Sequence, residues 1–211
     1  MAAVARVREA VGNRAKIAGS MGPTGRFIKP LGDLDFEDAY DAYYEQAQAL
    51  AAAGADYIII ETSIDIQEMR AALLATREAC TLPVICQLSY SEDGRTVTGT
   101  DPQTAAITLD ALGADIIGIN CSLGPEQLVP LVKILAENTD KPISVQPNAG
   151  MPHLENGRTV FPMSPADFGQ WAPRLIAAGA TYIGGCCGTT PAHIAAIAAA
   201  ARECAEPVRT P

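Results

Sequence analysis

Thr181-Tyr182-Ile183-Gly184-Gly185-Cys186-Cys187-Gly188-Thr189-Thr190-Pro191 holds an apolar strand, two adjacent cysteines between glycines, and a helix start. Neighbouring side chains on a strand point to opposite faces, so both thiols can meet one atom only where the backbone leaves β geometry. Gly184, Gly185 and Gly188 allow that departure. Thr190-Pro191 is a cap followed by proline at the first helical position. The segment therefore predicts a strand–reactive loop–helix unit.

Working outward, the same unit recurs. Strands are expected at Ile17–Met21, Tyr57–Glu61, Val84–Ser89, Ile116–Cys121, Ile143–Gln146 and Tyr182–Gly185. The helices that follow them are expected at Phe36–Ala53, Ile66–Ala79, Pro102–Leu112, Glu126–Asn138, Pro165–Ala178 and Pro191–Cys204. Ser164-Pro165 repeats the cap-then-proline start, and Gly54, Gly113 and Gly179 sit where glycine ends a helix. Strict alternation with continuous apolar strands implies a parallel sheet covered by helices.

Two architectures fit. A doubly wound sheet normally has a glycine-rich phosphate loop after its first strand, but that place holds Gly22-Pro23-Thr24-Gly25, a tight turn. In a (β/α)8 barrel, reactive residues gather at the carboxyl ends of many strands. Here Glu61-Thr62, Asn120-Cys121-Ser122, Asn148-Ala149-Gly150 and Cys186-Cys187 do so. Such barrels take about 250 residues, whereas this chain has 211 and shows six βα units. The expected fold is α/β, of the (β/α)8 TIM-barrel type but incomplete. It forms one domain over residues 1–211, with residues 1–15 an amphipathic helix ahead of the first strand present.

At 48% hydrophobic and 18% charged, the composition suits a full core. No apolar run approaches the ~18 residues of a membrane span, and Met1 to Ala15 lack the continuous apolar centre of a signal peptide. Net charge of −9 with 5% aromatic residues and no basic stripe excludes nucleic acid as partner. Six cysteines without export signals imply a reducing, cytoplasmic location.

Cys80 and Cys204, in helical segments, and Cys86, in a strand, read as small buried hydrophobes. Cys121, Cys186 and Cys187 differ, because each lies at a strand end beside glycine or turn residues. Thiolates converging from two strand ends make a zinc site with one open position, a catalytic pattern. The alternatives are a buried vicinal pair or a redox disulfide, although no Cys-x-x-Cys motif supports thiol exchange.

Glu61 ends an apolar run, where its carboxylate pairs with a substrate ammonium group or is a salt-bridged mouth residue. Asn120 and Asn148 hydrogen-bond substrate or orient the cysteine sulfurs, and Asn148 equally serves as a turn former. His153, in a polar loop, and His193, in a first helical turn, read as surface or capping residues. The acidic run Asp33–Asp41 fits helix capping and a solvated face.

Six blocks in order, between about Lys16 and Cys204, resemble the homocysteine S-methyltransferase family, in particular the homocysteine-binding domain of cobalamin-dependent methionine synthases. They are Gly22-Pro23-Thr24-Gly25, Glu61-Thr62 with Asp65, Thr98-Gly99-Thr100-Asp101-Pro102, Gly118 to Glu126, Pro147-Asn148-Ala149-Gly150 and Gly184 to Pro191. The resemblance implies a (β/α)8 barrel, zinc held by Cys121, Cys186 and Cys187, and homocysteine as substrate. Coordination removes the thiol proton, and the homocysteine sulfur then accepts a methyl group to give methionine. Methylcobalamin is the implied donor, carried with folate by other domains or proteins; betaine and S-methylmethionine are the alternatives.

The family's first-strand Asp-Gly-Ala or Asp-Gly-Gly motif is not found before Ile17. The chain is therefore expected to be a fragment, a truncated product or half of a split system. A second reading is a zinc- and homocysteine-binding module with little turnover, its missing strands supplied by another chain or a homo-oligomer. A third is a redox protein using Cys186-Cys187.

Overall fold

In the computed structural model, which describes residues 2–204, each apolar run becomes a strand paired in parallel with the next. Met1 and residues 205–211 of the expected domain lie outside the described residues. The elements are α1 (Ala2–Val11), β1 (Ala18–Met21), α2 (Phe36–Ala52), β2 (Tyr57–Ser63), α3 (Ile66–Ala79), β3 (Val84–Leu88), α4 (Pro102–Ala111) and β4 (Ile116–Asn120). They continue with α5 (Pro125–Glu137), β5 (Ile143–Gln146), β6 (His153–Glu155), β7 (Arg158–Val160), α6 (Pro165–Gly169), α7 (Ala172–Ala177), β8 (Ala180–Ile183) and α8 (Pro191–Glu203). The main sheet runs β1-β2-β3-β4-β5-β8, and β1 and β8 do not pair with each other. This is the incomplete barrel that the βα count predicts.

The two-residue period of a strand sorts the side chains. Met21, Ile58, Ile60, Cys86, Leu88, Ile117, Ile119, Ile143 and Val145 pack with Leu73, Leu109, Leu128, Leu135 and Leu175 of the helices. The other sheet face carries Ser20, Glu61, Gln87, Asn120 and Ser144. Gln87, Gly118 and Ser144 lie side by side in register on β3, β4 and β5. With no side chain at Gly118, Gln87 Nε2 reaches over β4 to donate to Ser144 Oγ at 2.8 Å. A Cβ at Gly118 would collide with the Ser144 carbonyl.

Helix starts follow their caps: Ser164 and Asp101 accept from the backbone N–H of Asp167 and Thr104. Several boundaries differ from expectation. The leading helix stops at Val11, where Gly12 turns at φ 55. The expected helix Pro165–Ala178 divides into α6 and α7, because Pro173 has no N–H to continue the ladder. The last strand begins two residues earlier than Tyr182, where Ala180 pairs with Ile143. Cys80 and Cys204 are C-caps rather than helical residues. The polar loop around His153 contains an antiparallel hairpin, β6–β7, turning at Asn156 and Gly157 with φ 51 and 74. Among the described residues, no helix is long and apolar enough to cross a membrane.

Candidate metal centre

Cys121 follows the end of β4, and with Ser122 it adopts left-handed φ values of 61 and 59. That conformation is uncommon for side-chain-bearing residues. It turns the chain sharply while Cys121 N still donates to Gln146 O on β5 at 3.0 Å. Cys186 and Cys187 follow β8, and their loop packs on the Pro147–Ala149 backbone. Cys186 N donates to Pro147 O at 2.8 Å, and Ala149 N to Cys187 O at 2.9 Å. Gly188, at φ 78, sits so close to the Phe161 ring that no Cβ would fit.

These turns bring the three thiols together. Cys121 Sγ lies 3.6 Å from Cys187 Sγ, and all three sulfurs fall within 4.8 Å of one another. Two sulfurs on one tetrahedral zinc, at Zn–S of about 2.3 Å, stand about 3.8 Å apart. The donor set and its spacing therefore fit a zinc-sized ion. All six cysteines are free, so no vicinal disulfide joins Cys186 to Cys187.

The electrostatics follow from crowding. The Cys121 thiol is pulled down to about 5, chiefly by a hydrogen bond from Cys186, with the Ser122 N–H, Cys187 and Asn148 adding to it. The same contact pushes Cys186 up, while burial is the main cause raising Cys187. The shared hydrogen bonds thus favour ionisation of Cys121 over its two neighbours, and a cation would replace the shared protons. Cys86, enclosed in the core, is pushed up by burial.

Two asparagines lie against the sulfurs. Asn120 Oδ1 accepts from Thr62 N at 2.7 Å, its Nδ2 donates to Thr62 Oγ1 at 2.8 Å, and Nδ2 lies 3.8 Å from Cys186 Sγ. Asn148 Oδ1 accepts from Cys187 N at 3.1 Å, and its side chain also bonds Cys121. Both asparagines are buried. Glu61 stands apart on the same sheet face: its Oε1 accepts from Ser20 Oγ at 2.5 Å, and it makes no salt bridge among the described residues.

Neither histidine joins the cysteine cluster. His153 is exposed at the start of β6. His193 completes a capping box with Thr190, but it is buried rather than on the surface. Its Nε2 lies 2.9 Å from the Met163 carbonyl, to which it donates, so Nδ1 accepts from Thr190 N. The Gly22–Gly25 turn is pinned where Thr24 N and Oγ1 donate to Glu68 Oε1 at 2.7 and 2.6 Å. In the acidic run, Asp33 pairs with Arg26 and Asp35 with Lys29. Sequence reasoning gave Thr62 no role, although it holds Asn120 at both ends. Its left-handed φ of 62 lies in a β-bulge that no residue pattern signals.

The homocysteine S-methyltransferase family profile matches residues 1–201, and the chain belongs to that family of methyltransferases. It is 35% identical over 194 residues to the methionine synthase of Mycobacterium leprae, covering 89% of this chain and 16% of that protein. To the methionine synthase of Mycobacterium tuberculosis it is 36% identical over 199 residues, covering 92% and 17%. The chain thus spans about a sixth of the length of these relatives. Among solved structures, the homocysteine methyltransferase MmuM of Escherichia coli superposes with a TM-score of 0.74 and 26% identity in both its apo and metallated forms. The match covers 94% of this chain and 69% or 67% of MmuM.

Proposed function

We propose that this chain is a zinc-dependent homocysteine S-methyltransferase module, with Cys121, Cys186 and Cys187 as the metal ligands. The observation that carries the reading is the convergence of three thiols from two separate strand ends, in a member of this family. When bound, zinc would hold the homocysteine sulfur in its nucleophilic, ionised form.

The chain's own groups prepare for that substrate. Three cysteine thiolates outweigh a divalent cation by one negative charge, which loosens the hold on a further sulfur. Cys187 is exposed, so the cluster opens to solvent on one side. Glu61, which makes no salt bridge among the described residues, would receive the substrate ammonium group, while Asn120 and Asn148 direct N–H groups at the sulfurs and border the substrate. The substrate sulfur attacks a methyl carbon, the bonding pair leaves with the donor, and methionine results. The resemblance to cobalamin-dependent methionine synthases favours methylcobalamin as donor, presented by cobalamin- and folate-binding domains or proteins, with the reaction in the cytoplasm.

The test is zinc content of the reduced full chain, with and without homocysteine, beside Cys186→Ser. One zinc per chain, lost in the variant, with X-ray absorption showing an added sulfur ligand on homocysteine addition, supports the reading. A wild-type chain that retains no zinc overturns it. Stoichiometric zinc without methyl transfer from methylcobalamin would favour the binding module with little turnover.

A further inference from the structure

We propose that Thr62 is a positioning residue that, through its backbone N–H and its hydroxyl together, holds the Asn120 carboxamide with its N–H toward Cys186. The inference rests on reading the cysteine cluster as a metal centre. A backbone N–H can only donate, so the atom 2.7 Å from Thr62 N must be the amide oxygen. The amide nitrogen is then at the other end, where one hydrogen goes to Thr62 Oγ1 at 2.8 Å. Its second hydrogen is left for Cys186 Sγ, 3.8 Å away. One residue thus sets the polarity presented to the sulfur.

The backbone around Thr62 is shaped for this. Between Ile60 and Ser63, β2 shifts register against Cys86 and Leu88 of β3, placing one extra residue on β2. Bulges re-aim side chains and are frequent beside functional sites. Thr62 takes φ 62 there, a conformation β-branched residues rarely adopt. The bond to Asn120 crosses β3, and Ser89, just past the end of that strand, braces both sides. Its N donates to Ser63 O at 2.8 Å and its Oγ to Asn120 O at 2.7 Å. An N–H facing a sulfur ligand disperses its negative charge, whereas a carbonyl oxygen there would repel it.

The experiment uses the reduced full chain, with zinc affinity read by chelator competition and the thiolate-to-metal charge-transfer band read on the Co2+-loaded form. Thr62→Val keeps the branched shape and the backbone N–H that sets the amide's polarity, but removes the hydroxyl that holds the amide nitrogen in place against Cys186. Zinc affinity is expected to fall about tenfold, the cobalt band to shift, and the thermal midpoint of the metal-free chain to fall by only a few degrees, the cost of one lost hydrogen bond. Thr62→Ser should restore both readouts. Asn120→Asp, which replaces the N–H by an oxygen, should lose more affinity than Thr62→Val and serves if the valine variant does not fold. Wild-type affinity and an unshifted band in Thr62→Val or in Asn120→Asp overturn the proposal, as does a serine variant no better than valine. A wild-type chain that takes up no zinc is a different outcome: it sinks the metal-centre reading itself, and this inference with it.

Discussion

β4 and β8 each deliver cysteine to the same cluster, but from unlike surroundings. β4 lies between β3 and β5, and all five of its residues are buried. Among the described residues β8 pairs with β5 alone, and it leaves Thr181 and Tyr182 exposed. Cys121 is therefore held by a sheet, whereas Cys186 and Cys187 are held by backbone bonds to the Pro147–Ala149 loop and by Asn148. An edge strand can still aim two thiols accurately if a neighbouring loop takes the place of the absent strand.

The largest effect that would test this contrast is Gly118→Ala on β4. The new Cβ has no room beside the Ser144 carbonyl, so the variant should lose about 3 kcal/mol or fail to fold; urea denaturation reads this. Next comes amide exchange. Amides of β4 should exchange at least about a hundredfold more slowly than those of β8 that lack a β5 partner. Equal protection would mean that β8 is not an edge in solution.

Thiol reactivity sharpens the comparison at the site itself. In metal-free protein, Cys121 should be alkylated ahead of Cys186, because its thiolate is retained down to about 5. A lowered value means the reactive form exists above that pH and disappears as pH falls through it. The rate at pH 4 should then be about a tenth of its plateau, as mass spectrometry of the labelled peptides would show. Cys86 should remain unlabelled until the chain unfolds. The smallest effect belongs to Gly184→Ala beyond β8. Its Cβ meets only the flexible Gln146 side chain at 3.2 Å and should cost under about 1 kcal/mol. A loss matching that of Gly118→Ala would erase the distinction between the two strands.

Much of the scaffold is visible in the sequence, because its signals are local. Apolar runs, cap-then-proline starts and glycine stops are each read within a few residues, and the six βα units follow. The three cysteines also stand out, since thiols beside strand-end glycines have few structural uses. The hairpin β6–β7 carried a local sign, Asn156-Gly157, a pair that favours the positive φ values seen there. It was masked because His153-Leu154-Glu155 and Arg158-Thr159-Val160 are short and largely polar. Thr62 stood out only as the neighbour of Glu61 at a strand end, with no sign of its contact to Asn120. Its importance arises from a bulge and from a contact with a residue 58 positions away, neither of which one-dimensional spacing encodes. The burial of His193 likewise depends on the Met163 carbonyl, 30 positions distant.

Cys121 and Cys187 are separated by 66 positions, and that spacing has a thermodynamic meaning. A bridge between them would tie a loop of that length in the unfolded chain, removing conformational freedom worth about 4 kcal/mol at room temperature. Whatever joins the thiols would thus fasten the loop after the edge strand β8 to the interior of the sheet. The same three side chains would then act as a clasp for the fold as well as a seat for chemistry.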